Sequence, residues 1–212
     1  MSSISLQSWL LFKMHLALIL YCRMNSLLMK FPNQEFYNNG LKSDSSVDHI
    51  KIRDILDSHQ DEEALLFIDT SDIADNRERH LKDSKSIVNE IEAEIAIRIA
   101  DDYLSDGVNE SDIGIISPYA DQVKIIQENT EIEVKTVDGF QGREKEIIII
   151  STVRSNDNGN IGFLSDLRRL NVAITRAKRK LIIIGNKDTL ITNPTYERLI
   201  NFCEDENLLE KV

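Results

Sequence analysis

Cysteine is scarce in this sequence, and its scarcity excludes several kinds of site. Only two of the 212 residues are cysteines, Cys22 and Cys203, and they form no CxxC pair. The four histidines are scattered along the chain. We therefore expect no zinc or iron–sulfur centre, no other metal site and no disulfide framework. This cysteine usage is typical of a reducing, intracellular setting such as the cytoplasm or the nucleoid.

A long hydrophobic run is also missing. The segment Trp9–Leu20 is apolar but has only 12 residues, and Lys13 and His15 interrupt it. It is too short to span a bilayer, and it lacks the basic start and the cleavage site of a signal peptide. We predict a buried helix or strand pair there and no membrane partner. Residues 1–22 are interpreted as an irregular N-terminal extension or truncated start, followed by one domain over residues 23–212.

Positive charge is in deficit, since the formal net charge is −11. This excludes a protein that coats nucleic acid non-specifically. A local basic groove remains compatible with the negative net charge, because the charges close to a groove set the electrostatic field that a polyanion meets there. The acidic residues concentrate in residues 44–112 and near the C-terminal end, whereas Arg168–Lys180 contains six basic residues and no acidic one. That asymmetry makes the basic stretch a candidate site.

Apolar segments alternate between strand and helix spacing along the chain. Strands are predicted at Leu65–Asp69, Ile113–Ile116, Ile132–Val137, Ile147–Val153 and Leu181–Ile184, and helices at residues 86–105, 120–128, 167–178 and 196–209. The continuous run Ile147–Val153 is typical of a strand covered on both sides. The alternation predicts an α/β fold with a parallel sheet flanked by helices on both faces. Ligands of such sheets bind at the carboxyl ends of the strands, where the polar and glycine residues gather.

Two segments carry the residue types that chemistry needs. Thr136–Glu144 contains two glycines, which let a backbone approach a ligand, together with acid, amide and guanidinium groups. A charged turn is the equal alternative for this loop. On a helix over Arg168–Ala177, Arg169, Thr175 and Arg176 would share one broad side, opposite an apolar stripe. Composition alone favours a solvated basic face there, and its position after the glycine loop favours a functional one.

Five blocks, in this order, resemble the motor motifs of superfamily 1 helicases. The similarity is to the group that includes the RNA helicase of nonsense-mediated decay and related 5′-to-3′ DNA helicases. The blocks are Tyr21-Cys22-Arg23-Met24 with Phe31-Pro32-Asn33 and Phe36-Tyr37; Ser86-x-x-Asn89-x-x-Glu92-Ala93; Ile116-Ser117-Pro118-Tyr119-x-x-Gln122; Val137–Glu144; and Arg168–Ala177. Val153–Asn156 and Gly162–Leu164, between the last two blocks, are also similar. The resemblance implies the RecA-like variant of the P-loop NTPase fold, as the C-terminal motor domain of an ATP-dependent DNA or RNA helicase.

The resemblance also implies roles for individual residues. Arg176 and Arg23 would be catalytic, reaching across a domain interface to the γ-phosphate of ATP, where an arginine offsets charge on the transferred phosphoryl group. ATP would be contacted by Gln141, Gly142, Arg143 and Glu144, with Glu144 accepting from the ribose hydroxyls. The backbone of single-stranded DNA or RNA would be gripped by Tyr119, Gln122, Thr136, Arg154 and Asn156.

Simpler interpretations of three of these positions stay open. Tyr119 could plug the end of a strand beside Pro118. Arg154 could pair with a loop acid such as Asp157. Asp138 is as consistent with a turn cap as with a ligand.

The sequence contains no GxxxxGK[ST] phosphate loop and no Asp-Glu pair at the end of an apolar strand to hold Mg²⁺. ATP and Mg²⁺ are therefore expected only in a composite site with an N-terminal RecA-like helicase domain, in the same chain or a separate one. This chain alone is not expected to hydrolyse ATP appreciably. Two other hypotheses remain: a non-catalytic module that binds single strands, and the remnant of a truncated helicase gene.

Overall fold

The apolar runs of the sequence form a parallel sheet in a computed structural model, which describes residues 24–42, 47, 49–60 and 62–212. Its strands are β1 (Leu65–Asp69), β4 (Ile113–Ser117), β5 (Glu133–Thr136), β6 (Lys145–Ser151), β7 (Ala177–Gly185) and β8 (Leu209–Lys211); β2 (Arg79–His80) and β3 (Ile87–Val88) form a separate antiparallel pair. The order in the sheet is β5-β4-β6-β7-β1-β8, and every neighbouring pair is parallel. The predictions for Trp9–Leu20, the domain boundary at residue 22 and Arg23 lie outside the described residues.

Helices cover both faces of the sheet. They are α1 (Ser26–Tyr37), α2 (Glu90–Ser105), α3 (Ala120–Gln127), α4 (Leu167–Ile174), α5 (Lys187–Leu190) and α6 (Pro194–Asp205). Successive side chains of a strand point to opposite faces, and the isoleucines of β6 divide accordingly. Ile148 and Ile150 pack with residues of α1, α4 and α6, whereas Ile147 and Ile149 pack with residues of α2 and α3. The predicted α/β fold with a doubly covered parallel sheet is confirmed. None of the described helices is long and apolar enough to cross a membrane.

The boundary between α4 and β7 differs from the prediction. The helix was expected to continue to Lys178, but it ends at Ile174, and β7 begins at Ala177 instead of Leu181. The reason is tertiary pairing. Ala177 and Lys180 pair with β6, and the side chains of Lys178 and Arg179 both bind Glu146 on that strand. Local spacing could not reveal a partner 32 residues away.

Smaller differences at other ends have local causes. The helix expected from residue 86 begins at Glu90, because Ile87–Val88 pair with β2 and the Asn89 side chain caps the helix. The last helix was expected over residues 196–209, but α6 covers Pro194–Asp205. Leu209–Lys211 form a strand instead, because they pair with β1. β6 ends at Ser151 instead of Val153, which has a positive φ of 72° and cannot continue a strand.

Gly114 on β4 packs against Phe140 and Lys145, which belong to the segment that leads into β6. A Cβ at this position would lie 2.5 Å from Cζ of Phe140, whose ring is fully buried, and 3.1 Å from Cγ of Lys145. We expect Gly114→Ala to lower the free energy of unfolding by about 1–3 kcal/mol, because overpacking forces the ring and its backbone to move. Urea unfolding would measure it. Gly139→Ala is the matched control, since its Cβ would meet no atom closer than 3.3 Å; equal losses in the two variants would contradict this account.

Candidate nucleotide and nucleic-acid sites

The candidate site residues occupy opposite edges of the sheet. The segment Val137–Glu144 begins at the carboxyl end of β5 and ends at the amino end of β6. The residues Thr136–Gly142 were expected to lie together at the carboxyl ends, but Gln141 and Gly142 do not lie there. Arg176 precedes β7 and stands at that same amino-end edge. Tyr119, Thr136 and Arg154 follow or end β4, β5 and β6 at the carboxyl-end edge. The two edges are separated by the length of β6, roughly 20 Å for seven residues.

Arg176 lies directly beside the Gln141–Glu144 turn. Its Nη1 donates to the carbonyl of Arg143 (3.4 Å), its Nε to the carbonyl of Val172 (3.0 Å) and its Nη2 to Oγ1 of Thr175 (3.1 Å). The residue is only 7 % exposed. The guanidinium is thus next to the turn, as expected, but folded against α4. It does not share an outward helix face with Arg169, because α4 has ended before residue 176.

Carboxylates neutralise most of the basic stretch Arg168–Lys180. The ion pairs are Arg168 with Asp166, Arg169 with Asp138 and Asp166, Lys178 with Glu146, Arg179 with Glu146 and Asp54, and Lys180 with Glu62. Burial opposes ionisation of Glu146, but the hydrogen bonds from Lys178 and Arg179 outweigh it and hold its pKa below the usual range. Arg176 differs from its neighbours, because no carboxylate of the described residues lies within ion-pair distance of it.

The turn beside Arg176 is open to solvent. Gln141, Gly142 and Arg143 are exposed, and Glu144 is half-buried. Gly142 has φ of 80°, and a Cβ there would meet no atom within 4 Å. The side chain of Arg143 forms an ion pair with Glu133 of β5. A ligand could approach the backbone of this turn at Gly142, while a non-glycine residue there would strain the left-handed backbone.

Gln122, expected on the nucleic-acid track, lies in the interior. Its Oε1 accepts from the backbone N–H of Asn89 (2.9 Å), and its Nε2 donates to the Asn89 carbonyl (2.8 Å) and to Oγ of Ser151 (3.1 Å). The side chain is completely buried. The expected nucleic-acid contact is therefore corrected: Gln122 ties α3 to the start of α2 and to the end of β6.

Tyr119 is also buried, with 2 % of its surface exposed, and the tyrosine plugs the end of β4 as the simpler interpretation proposed. Its Oη accepts from Nη1 of Arg154 (3.2 Å) and from the backbone N–H of Phe163 (3.3 Å). The Phe163 ring covers the Tyr119 ring with 5.5 Å between centroids. Phe163, which the sequence did not single out as a site residue, is the aromatic side chain that faces solvent here, with 59 % of its surface exposed.

Arg154 and Asn156 organise the loop that follows β6. Nε of Arg154 forms an ion pair with Oε2 of Glu78 at 3.0 Å. The N–H group does not point at that oxygen, so the contact is not a hydrogen bond. The suggested partner Asp157 is wrong, since it pairs with Arg77. Nδ2 of Asn156 donates to the same Glu78 oxygen (3.0 Å) and to the Asn160 carbonyl (2.9 Å). Arg154 is buried and Asn156 half-buried, so both shape the loop from within.

Glu92 of α2 binds the first residues of the same loop, directly after β6. The sequence analysis assigned no role to Glu92. Its Oε2 accepts from the backbone N–H of Val153 (2.7 Å) and from the hydroxyl of Ser151 (2.8 Å). Val153 is buried and adopts φ of 72°, which a β-branched residue takes only under constraint, at a cost of about 1–3 kcal/mol. Burial, opposed by these hydrogen bonds, raises the pKa of Glu92 to about 8. The acid in the Ser86-x-x-Asn89-x-x-Glu92 block was the available signal.

Sequence comparison identifies the family. A model described as an AAA domain matches residues 11–188, which is most of the chain. The chain belongs to the AAA domain family. It is a C-terminal RecA-like domain of the superfamily 1 helicase type, as its motif blocks predicted.

Several helicases are similar to this RecA-like domain. It is 42 % identical over 196 residues to an uncharacterised ATP-dependent helicase of Methanocaldococcus jannaschii, covering 86 % of this chain and 28 % of that protein. It is 36 % identical over 199 residues to a regulator of nonsense transcripts 1 homologue of Drosophila melanogaster, covering 88 % and 16 %. It is 38 % identical over 184 residues to the DNA polymerase alpha-associated DNA helicase A of Saccharomyces cerevisiae, covering 79 % and 27 %. The domain thus spans under a third of each of these relatives.

Among solved structures, the RecA-like domain is similar to the C-terminal domain of a possible DNA helicase from Lactobacillus plantarum. The two share 11 % sequence identity with a TM-score of 0.46, and the match covers 77 % of this chain and 86 % of that one.

Proposed function

We propose that this domain is the second half of an ATP-dependent motor that moves on single-stranded DNA or RNA. At the amino-end edge of its sheet, Arg176 would serve as an arginine finger for ATP held by an N-terminal RecA-like domain, in the same chain or in a separate one. At the carboxyl-end edge, the loops after β4, β5 and β6 would form part of the nucleic-acid track. Such a motor would work inside the cell, in the cytoplasm or the nucleoid.

The observation that carries the proposal is the charge of Arg176. Arg176 is only 7 % exposed, and a buried guanidinium with no carboxylate partner among the described residues is unfavourable, because neutral acceptors compensate a buried charge only in part. A phosphate oxygen would supply the missing negative charge through shorter, charge-assisted hydrogen bonds. The longest of the present contacts, 3.4 Å to the Arg143 carbonyl, joins the guanidinium to the candidate nucleotide turn and is the contact that is easiest to exchange.

The residues of the turn fit the remaining nucleotide. Glu144 would accept from the ribose hydroxyls, and Gly142 would let the backbone of Gln141–Arg143 lie close to the nucleotide. The first domain would hold the Mg²⁺ ion. It would also supply the phosphate loop, since this sequence contains no such loop. Bound Mg·ATP would supply the phosphoryl group and its leaving group. The part of this domain is to place one positive charge against the phosphate and to cover the site.

The fold offers a physical link between the two edges. Val137–Glu144 begins beside Thr136 on the track side and ends beside Arg176 on the nucleotide side, and Phe140 in its middle is anchored against Gly114. β6 likewise runs from Lys145, next to the nucleotide turn, to Ser151, next to Glu92 and Arg154. A displacement at one edge would therefore have a continuous path to the other through these two segments.

A chimeric motor tests the proposal. This domain would replace the matching region of the Methanocaldococcus jannaschii relative, which is 42 % identical to it. We expect the chimera to hydrolyse ATP and single-stranded nucleic acid to stimulate that hydrolysis. The relative truncated before its second domain is the control and should bind ATP without stimulated turnover. A folded chimera that binds ATP but hydrolyses it no faster than the truncated control would contradict the proposal.

A further inference from the structure

Phe163 is the most exposed large hydrophobic side chain of the described residues, and a buried support fixes its ring. The Phe163 ring lies against the Tyr119 ring at an interplanar angle of 46°. The backbone N–H of Phe163 donates to the Tyr119 hydroxyl. The preceding Gly162 has φ of 50°, and a Cβ there would come within 2.7 Å of that hydroxyl and 2.5 Å of Nη1 of Arg154. The segment is thus pressed onto Tyr119 and Arg154, so the solvent-facing ring has a defined orientation.

The ring borders a cleft of about 390 Å³ at the carboxyl-end edge of the sheet. Pro118, Ala120 and Val137 give the cleft an apolar lining, and Lys85, Ser86, Thr136, Asp138 and Arg169 give it polar groups. Lys85 is exposed, and in the part of the chain that the structure describes no carboxylate lies within ion-pair distance of it. Asp138 is neutralised by Arg169 at 2.9 Å. The charge left available at the rim is therefore positive.

The hydroxyl groups of the rim can still donate. Oγ of Ser86 accepts from the backbone N–H of Asp121 (3.2 Å), and Oγ1 of Thr136 accepts from that of Gly139 (3.3 Å). In both contacts the hydroxyl is the acceptor, so its own proton can go to an oxygen of a ligand.

We propose that this cleft binds one nucleobase of a single strand, stacked on Phe163, with the adjoining phosphate at Lys85 and the hydroxyls of Ser86 and Thr136. The inference deepens the proposed function and rests on it, because it presumes that the track is at this edge. An apolar wall, a solvent-facing aromatic ring and a cationic rim match the two parts of a nucleotide, the flat base and the charged backbone. Stacking tolerates every base, since each has a π-face, which suits a motor that reads no sequence.

Binding of the 212-residue chain to a fluorescent strand of thymidines at low salt, followed by anisotropy, tests the stacking. We expect Phe163→Ala to weaken binding roughly 5- to 100-fold, the range for loss of one base–aromatic stack. Ile191→Ala removes another exposed hydrophobic residue and should leave the affinity unchanged. With an abasic strand of equal length, wild type and Phe163→Ala should bind equally.

A spectroscopic variant separates stacking from a general loss of surface. Trp9 is the only tryptophan, so Trp9→Phe combined with Phe163→Trp places a single indole at the cleft. Its fluorescence should be quenched by the thymidine strand and not by the abasic one. No binding of the wild-type chain at low salt would overturn the track and this pocket together. Binding that Phe163→Ala leaves unchanged, or weakens equally for the abasic strand, would overturn the pocket while the track stands.

Discussion

Replacing Arg176 by alanine in the chimeric motor is expected to lower the rate of nucleic-acid-stimulated ATP hydrolysis by about 10³-fold or more. The guanidinium would act on the charge that develops during phosphoryl transfer, so kcat should fall much more than the affinity for ATP. Steady-state hydrolysis and nucleotide binding, measured on the same preparation, would separate the two quantities. A change in kcat of less than about tenfold would contradict the assigned role.

The controls for this prediction follow from the surroundings of Arg176. Alanine also removes the hydrogen bonds to the carbonyls of Val172 and Arg143, so thermal unfolding must be followed in parallel. Arg176→Lys keeps the positive charge and loses the planar fork, and we expect it to fold while recovering only part of the activity. Arg168→Ala is the matched variant on the same segment; Arg168 is far more exposed, is already paired with Asp166 and does not line the proposed cleft, so its loss should leave kcat within a few-fold of wild type.

The sheet could be predicted because its strands have a strong local signature. Ile147–Ile150 is apolar at every position, which is typical of a doubly covered strand, and the glycine and polar residues mark where neighbouring strands end. The α4–β7 boundary could not be predicted, since Lys178, Arg179 and Lys180 favour a helix locally. They enter a strand because Glu146 and Glu62 bind them from other parts of the chain.

The candidate site was predicted in its residue types and only partly in its geometry. Motif spacing places Arg176 next to the Gln141–Glu144 turn, and the structure brings them together. Spacing carries no information on depth, so it could not show that Tyr119 and Gln122 are buried beneath the surface they were expected to form. Phe163 and Glu92 were overlooked for the complementary reason. One looks like an ordinary core aromatic and the other like an ordinary helix acid until their exposure is known.

The second large effect concerns the dependence of stability on pH through Glu92. Burial raises the pKa of Glu92 from 4.5 in the unfolded chain to about 8 in the folded protein. Between pH 4.5 and pH 8 the native protein therefore keeps a proton on Glu92 that the unfolded chain has released. The free energy of unfolding should therefore be highest below about pH 4.5 with respect to this group and fall as pH rises towards 8. The total loss is on the order of 3–5 kcal/mol for a shift of this size. Urea unfolding at intervals between pH 5 and 8.5 would measure it.

Two substitutions distinguish Glu92 from the other acids. Glu92→Gln keeps an acceptor for the N–H of Val153 but cannot ionise, so it should match wild type near pH 5 and exceed it in stability at pH 8. Glu94→Gln, on an exposed position of the same helix, should leave the pH profile unchanged. The acids whose pKa is lowered, such as Glu35, Asp54 and Glu146, titrate below this window and act with the opposite sign. A wild-type stability that rises between pH 5 and 8 and falls with Glu92→Gln would mean that Glu92 is ionised in the native state. It would then hold the strained Val153 turn, and with it Arg154, as a charged acceptor.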